Sequence, residues 1–210
     1  MTPRSIGLIF MISGGRMQRW LLGLFLLFPG LAWAQSSGWD LQTLLQGMAE
    51  VKSASASFTQ TQTSPLLSTP LASHGVLSYQ APAYLCKVTL APTHETFVLD
   101  HGRVTISGGP HDQTQVFNVA DAPQINGLVG GIQAVLAGDL STLKQWYTVR
   151  LEGPRNAWQL RLQPRSAQVR KVVETMTMYG SGRHMTGMKT VMANGSVTDM
   201  QMSETITLAK

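Results

Sequence analysis

Cysteine is nearly absent: Cys86 stands alone in 210 residues, so no internal disulfide staples the fold, although an oxidising compartment would permit one. It also lies too far along the chain to be the acylated first residue of a lipoprotein. Charge is sparse as well, at 13% Asp, Glu, Lys and Arg. Three of the 16 basic residues (Arg4, Arg16, Arg19) fall in the first 34 positions and all 11 acidic ones fall after them, so residues 35–210 carry 13 − 11 = +2. No Lys/Arg run is present, and the basic residues of 150–171 alternate with Leu and Trp, which argues against nucleic acid as a partner. Bond-breaking motifs are missing too. His74, His94, His101, His111 and His184 show no ligand spacing, and Gly108-Gly109 leads into Pro110-His111 in place of a phosphate-loop Lys. Gly180-Ser181-Gly182 lacks the outer spacing of a nucleophile elbow. His94 and Glu95 with Asp100 and His101 show no sign of converging on a metal. Neither an enzyme, a metal nor a cofactor is implied.

What is there begins with an export signal. Arg16 and Arg19 precede the apolar run Trp20–Phe28, and Ala32-Trp33-Ala34 supplies small residues before Gln35. Gly23 interrupts that run and Pro29-Gly30 closes it, short of the roughly 20 apolar residues of a spanning helix. Residues 1–34 therefore read as a cleaved signal peptide, with Met17 as an alternative initiator. The remaining 210 − 34 = 176 residues suit a single domain with a sizeable core.

Asp40 is placed to cap a helix to about Lys52, with Leu41, Leu44, Leu45, Met48 and Val51 on one face. From Ser53 the period becomes two, and Thr-rich content supports a long strand. Segments 71–80, 84–90, 95–100, 103–107 and 113–119 follow as strands between Pro/Gly breaks too short for crossover helices, which implies an antiparallel meander. Helical spacing returns at Ile125, Leu128, Val129, Ile132 and Leu136. Gly127, Gly130 and Gly131 lie inside that helix, each costing about 1 kcal/mol relative to Ala unless packing compensates. A short helix over 140–145 follows. Strands then resume at 147–152 and 158–163, a turn falls at 164–168, and further strands run over 172–179, 185–192 and 197–208, the last two joined by an Asn194-Gly195 turn. The count is about eleven.

Seven methionines crowd the last three strands, and Met176/Met178 and Met200/Met202 each share a face. They suit either a cavity wall that adapts to variable apolar shapes or ordinary core filling. A twisted sheet of eleven strands tends to curl. Two helices over its concave side would bury their apolar faces and leave a hollow, although a solidly packed core fits the same periodicity.

The order of motifs is specific enough to compare. A helix is followed by Phe58-Thr59-Gln60, Gly75-x-Leu77-x-Tyr79-x-x-Pro82, Thr89-Leu90-Ala91-Pro92, Asp100-x-Gly102, a central helix and closing strands. This resembles the periplasmic outer-membrane lipoprotein carrier (LolA-like) family. The resemblance implies a mainly β fold with helices, an incomplete, open antiparallel β-barrel of about 11 strands with an α-helical lid. It further implies a soluble, monomeric periplasmic carrier that takes lipoprotein acyl chains from an inner-membrane donor to an outer-membrane acceptor. Shielding is needed because each buried CH₂ is worth ~0.8 kcal/mol. On that architecture the expected cavity residues are Phe58, Leu77, Tyr79, Leu85, Lys87, Phe97, Leu99 and Ile106 from the first half of the sheet. Leu128, Ile132 and Leu136 come from the lid, and Trp158, Leu160, Met176, Met178, Met200 and Met202 from the second half. A slip of one residue would invert a strand's contribution.

Two departures stand out. Where typical carriers have an Arg that hydrogen-bonds the lid, this chain has Ala81, and where they have an aromatic residue after Leu85, it has Lys87. A cation facing the cavity would favour an anionic head group; a Lys turned to solvent or snorkelling at the rim is the other reading. These changes suggest a divergent branch whose cargo is another lipid, such as an acylated or polyene-type product. A sensor or protein-interaction module on the same fold, and a hydrolase of envelope lipids or glycans, are the rival functions.

Overall fold

The computed structural model describes residues 38–208; the expected signal peptide, its cleavage point after Ala34 and the choice between Met1 and Met17 lie outside the described residues. Helix α1 spans Leu41–Ala49, and the Asp40 carboxylate accepts the Thr43 backbone N–H at 2.8 Å. Its Leu44, Leu45 and Met48 are buried. It ends three residues short of the expected Lys52. Val51, β-branched and suited to a pleated surface, already pairs with Leu208, while the Lys52 ammonium turns back to the Ala49 carbonyl at 2.9 Å and satisfies the helix end.

Strand β1 (Val51–Thr63) is followed by β2 (Leu71–Gln80), β3 (Tyr84–Ala91), β4 (Glu95–Asp100), β5 (Arg103–Gly108) and β6 (Gln115–Asn118). A 3₁₀ turn over Val119–Asp121 leads into α2 (Pro123–Leu136) and α3 (Leu140–Trp146). Strands β7 (Tyr147–Glu152) and β8 (Trp158–Pro164), a helical turn α4 (Ala167–Arg170), and β9 (Val173–Ser181), β10 (His184–Met192) and β11 (Val197–Leu208) complete the chain. Residues 164–168, expected as a plain turn, open into α4 because the Ser166 hydroxyl caps it and Val169 finds a buried place.

All eleven strands form one antiparallel sheet in the order β6-β5-β4-β3-β2-β1-β11-β10-β9-β8-β7, not closed into a barrel. The first and last strands thus pair in the middle, and the two edges are β6 and β7. These edges are consecutive in the chain, so the segment between them has to pass from one side of the sheet to the other. That segment carries α2 and α3. The glycines of α2 set how closely it docks: a Cβ on Gly127 would stand 2.3 Å from Val169 Cγ2, and one on Gly131 would stand 2.5 Å from the Tyr147 ring. Close packing onto α4 and β7 is the compensation that the helix needs, and the Tyr147 hydroxyl adds a 2.6 Å bond to the Gly127 carbonyl.

Two apolar clusters result. The larger joins Leu44, Leu45 and Met48 of α1 and Val135 of α2 to Trp158, Leu160, Leu162, Met176 and Met178 of β8 and β9. The smaller gathers Leu99, Val104 and Val129. Among the described residues no helix is long and apolar enough to cross a membrane.

Candidate functional site

Between these clusters, α2 stands off the sheet and leaves a cavity of about 500 Å³. Its floor owes its depth to Ala54 and Ala56 on β1, the central strand, where small side chains alternate onto the concave face. Around them the register assembles the wall: Leu77 lies opposite Ala56 and Lys87, and Lys87 opposite Phe97. Tyr79 and Leu85 pair in the same way one step further along. On the other side stand Met200 and Met202 of β11 with Met185, Met188 and Met192 of β10. Ile125, Leu128, Val129, Ile132 and Leu136 form the roof, the recurrence at three and four residues that puts them on one face of α2.

Ten residues expected at the cavity therefore stand on its wall: Leu77, Tyr79, Leu85, Lys87, Phe97, Leu128, Ile132, Leu136, Met200 and Met202. The others are placed elsewhere. Trp158, Leu160, Met176 and Met178 are 0–1% exposed in the larger cluster, because α1 and Val135 of α2 fill the space above β8 and β9. Leu99 is fully buried in the smaller cluster, with Ile106 packed beside it. Phe58 is on the correct face, but its ring is buried against β2, where Gly75 pairs with it and presents bare backbone. A Cβ on Gly75 would stand 1.9 Å from the Val88 carbonyl and 2.9 Å from Phe58 Cε1, which explains the glycine of the Gly-x-Leu-x-Tyr motif. Ala54, Ala56, Gln60, Ile125, Val129, Met185, Met188, Met192, Thr190 and Thr198 line the cavity and were not expected there. The alternating small residues of Ser53–Ser57 were the legible sign of a hollow floor.

Tyr79 and Lys87 are the ionisable groups of the wall among the described residues. The Tyr79 hydroxyl donates to the Leu136 carbonyl at the end of α2, at 3.4 Å, and burial raises its pKa. Ala81 sits in the tight turn after β2, its N–H bonded to the Lys52 carbonyl at 2.9 Å. The roof is thus tied to β2 through Tyr79. Lys87 is half-buried and reaches across Gly75: its ammonium donates to Gln60 Oε1 at 2.9 Å and lies 5.0 Å from the Phe58 ring centroid. Burial lowers its pKa, opposed in part by Glu95. A second hollow of about 670 Å³ lies beside Trp39, Pro154–Asn156 and Ser181-Gly182. It is formed mainly by turns, and it holds the Trp39 indole N–H, buried without a partner among the described residues. Among the described residues no three His, Cys, Asp or Glu side chains gather as a metal site.

A sequence model described as outer membrane lipoprotein carrier protein LolA-like matches residues 33–209. The chain belongs to the LolA-like family. Among solved structures, this LolA-like protein is similar to a LolA superfamily protein from Nitrosomonas europaea, at 11% identity and TM-score 0.43, covering 82% of this chain and 94% of that one. It is also similar to the Mycobacterium tuberculosis lipoprotein LppX, at 9% identity and TM-score 0.42, covering 78% and 91%. The Pseudomonas aeruginosa MucA/MucB complex gives 16% identity and TM-score 0.41, covering 81% of this chain and 56% of that one. No curated protein matches the chain.

Proposed function

We propose that this LolA-like protein is a periplasmic carrier that shields the acyl part of a lipoprotein or a related lipid in the cavity under α2, and that it moves between an inner-membrane donor and an outer-membrane acceptor. The observation that carries the reading is the cavity itself, about 500 Å³ walled by Leu, Ile, Met, Ala and Phe side chains. Its size falls within the ~300–1,000 Å³ usual for small-molecule sites. Each methylene removed from water into such a wall is worth ~0.8 kcal/mol, which drives loading without any covalent chemistry. The five wall methionines, flexible and polarizable, let one wall fit chains of different length or shape.

Lipids extracted from the protein after mild purification from a periplasmic fraction, then analysed by mass spectrometry, test this. Stoichiometric acyl-bearing cargo is expected from the wild type. Ile132→Trp, which places bulk into the cavity from the roof, is expected to remove at least about nine-tenths of it while the circular dichroism spectrum stays native. A wild type without lipid, or a folded Ile132→Trp variant with undiminished lipid, overturns the proposal.

A further inference from the structure

Among the described residues, the wall of the cavity that the carrier reading assigns to an acyl chain holds one cation, Lys87, and no carboxylate. Lys87 takes part in none of the ion pairs among the described residues. Glu95, the acidic group that acts on it, is exposed and makes no ion pair with it. Its neighbours at close range are the Gln60 amide oxygen and the Phe58 ring, both attractive to a cation and neither able to neutralise it. An ammonium has three donors, and Gln60 takes one. A half-buried charge left in this condition is costly, and a bound anion would remove that cost.

The rest of the wall is arranged along the same axis. Thr198 pairs with Gln62, two residues from Gln60, and with Thr190, so two hydroxyl-bearing side chains of the wall stand near Gln60, the partner of Lys87. Two residues back along β3 from Lys87, Leu85 pairs with Tyr79, whose hydroxyl is committed to Leu136, and Tyr79 pairs in turn with Ala54. The Lys87 ammonium, Gln60, Thr190 and Thr198 thus lie to one side of the cavity, and Leu85, Ala54 and Leu136, with the Tyr79 hydroxyl already bonded, lie to the other. At about 500 Å³ the cavity has room for at least one long acyl chain.

We infer that the cargo is an acyl amphiphile with an anionic terminus, its head group held by Lys87 and Gln60 and its chain laid under α2 toward Leu85 and Leu136. This rests on the carrier reading and narrows it. The ester and amide linkages that join acyl chains to a protein are neutral and offer Lys87 only a carbonyl oxygen of the kind Gln60 already supplies, whereas the carboxylate of a fatty acid or the phosphate of a phosphorylated lipid offers a stronger bond between opposite charges.

Isothermal titration of delipidated protein with four probes of equal chain length tests it: dodecanoate, dodecyl phosphate, dodecanol and dodecyltrimethylammonium. One or both anions are expected to bind about ten- to a hundredfold tighter than dodecanol, with the cation weakest, and the better anion identifies a carboxylate or a phosphate head. Lys87→Met is expected to bring anion and alcohol to similar affinity, and Lys87→Arg to keep the preference. Equal binding of dodecanol and both anions by the wild type overturns the head-group assignment while leaving the carrier reading standing, as does an anion preference that survives in Lys87→Met. Binding of none of the four overturns both.

Discussion

Two pairs of methionines with the same spacing have opposite fates. Met176 and Met178 on β9 are fully buried among Leu160, Leu162, Trp158 and the α1 leucines, whereas Met200 and Met202 on β11 look into the cavity under α2. Both pairs sit on the concave face of one sheet, two strands apart. What differs is the cover. Over β8 and β9, α1 and the Ala134-Val135 end of α2 press down until no space is left; over β1 and β11, α2 meets the small Ala54 and Ala56 and does not reach them. A hollow in a protein therefore follows from short side chains under a helix whose position is set elsewhere, here by its glycine contacts to Val169 and Tyr147.

Truncation should break the symmetry of the two pairs most strongly. Met178→Ala opens a void in a solid region and is expected to lower unfolding free energy by about 4 kcal/mol, against about 2 kcal/mol for Met200→Ala, whose side chain already borders empty space. Denaturant unfolding followed by tryptophan fluorescence measures both, and equal losses would mean that the two regions are packed alike.

A smaller effect separates two neighbouring glycines of α2. At Gly130 a Cβ meets nothing within 4 Å, so Gly130→Ala should stabilise by up to about 1 kcal/mol through helix propensity. At Gly131 the same methyl would strike the Tyr147 ring, and Gly131→Ala is expected to destabilise by about 1–3 kcal/mol. Thermal melts of the two variants decide whether docking or propensity governs the helix.

The smallest expected effect is a pH dependence. Burial pushes the Tyr147 hydroxyl up to about 12, above its ordinary value of 10.0. The unfolded chain therefore loses this proton first, so the contribution is fully present below pH 10 and is lost as pH rises toward 12. Tyr147→Phe should flatten that alkaline slope and cost about 1 kcal/mol at neutral pH for the lost bond to Gly127. An unchanged slope would show that Tyr147 is not the group responsible.

Much of the fold was legible. Alternation along Thr148–Glu152 and Trp158–Gln163 gave those strands their faces directly, and short Pro/Gly breaks required antiparallel neighbours. The end of α1 was misplaced because Val51 fits the apolar face of a helix and the start of a strand equally well, and its pairing with Leu208 decided between them. The site was legible by face and not by depth. Phe58, Leu99, Trp158 and Leu160 point to the correct side of the sheet, yet each is covered by a neighbour that no local pattern names. The roof residues fared better, since α2 has one apolar stripe and it must lie on something.

Periods of two and 3.6, with short connections, carry in the amino-acid sequence alone the approximate number of strands, the antiparallel run of sequence neighbours and the greasy stripe of each helix, whereas the pairing of β1 with β11 comes from the fold. Only the tertiary structure decided where the interior is solid and where it is hollow, and it brought Lys87, Gln60 and Phe58 together from two strands across the bare backbone of Gly75. Packing depends on the height at which one element rests above another, and that height is set by contacts between residues far apart in the chain.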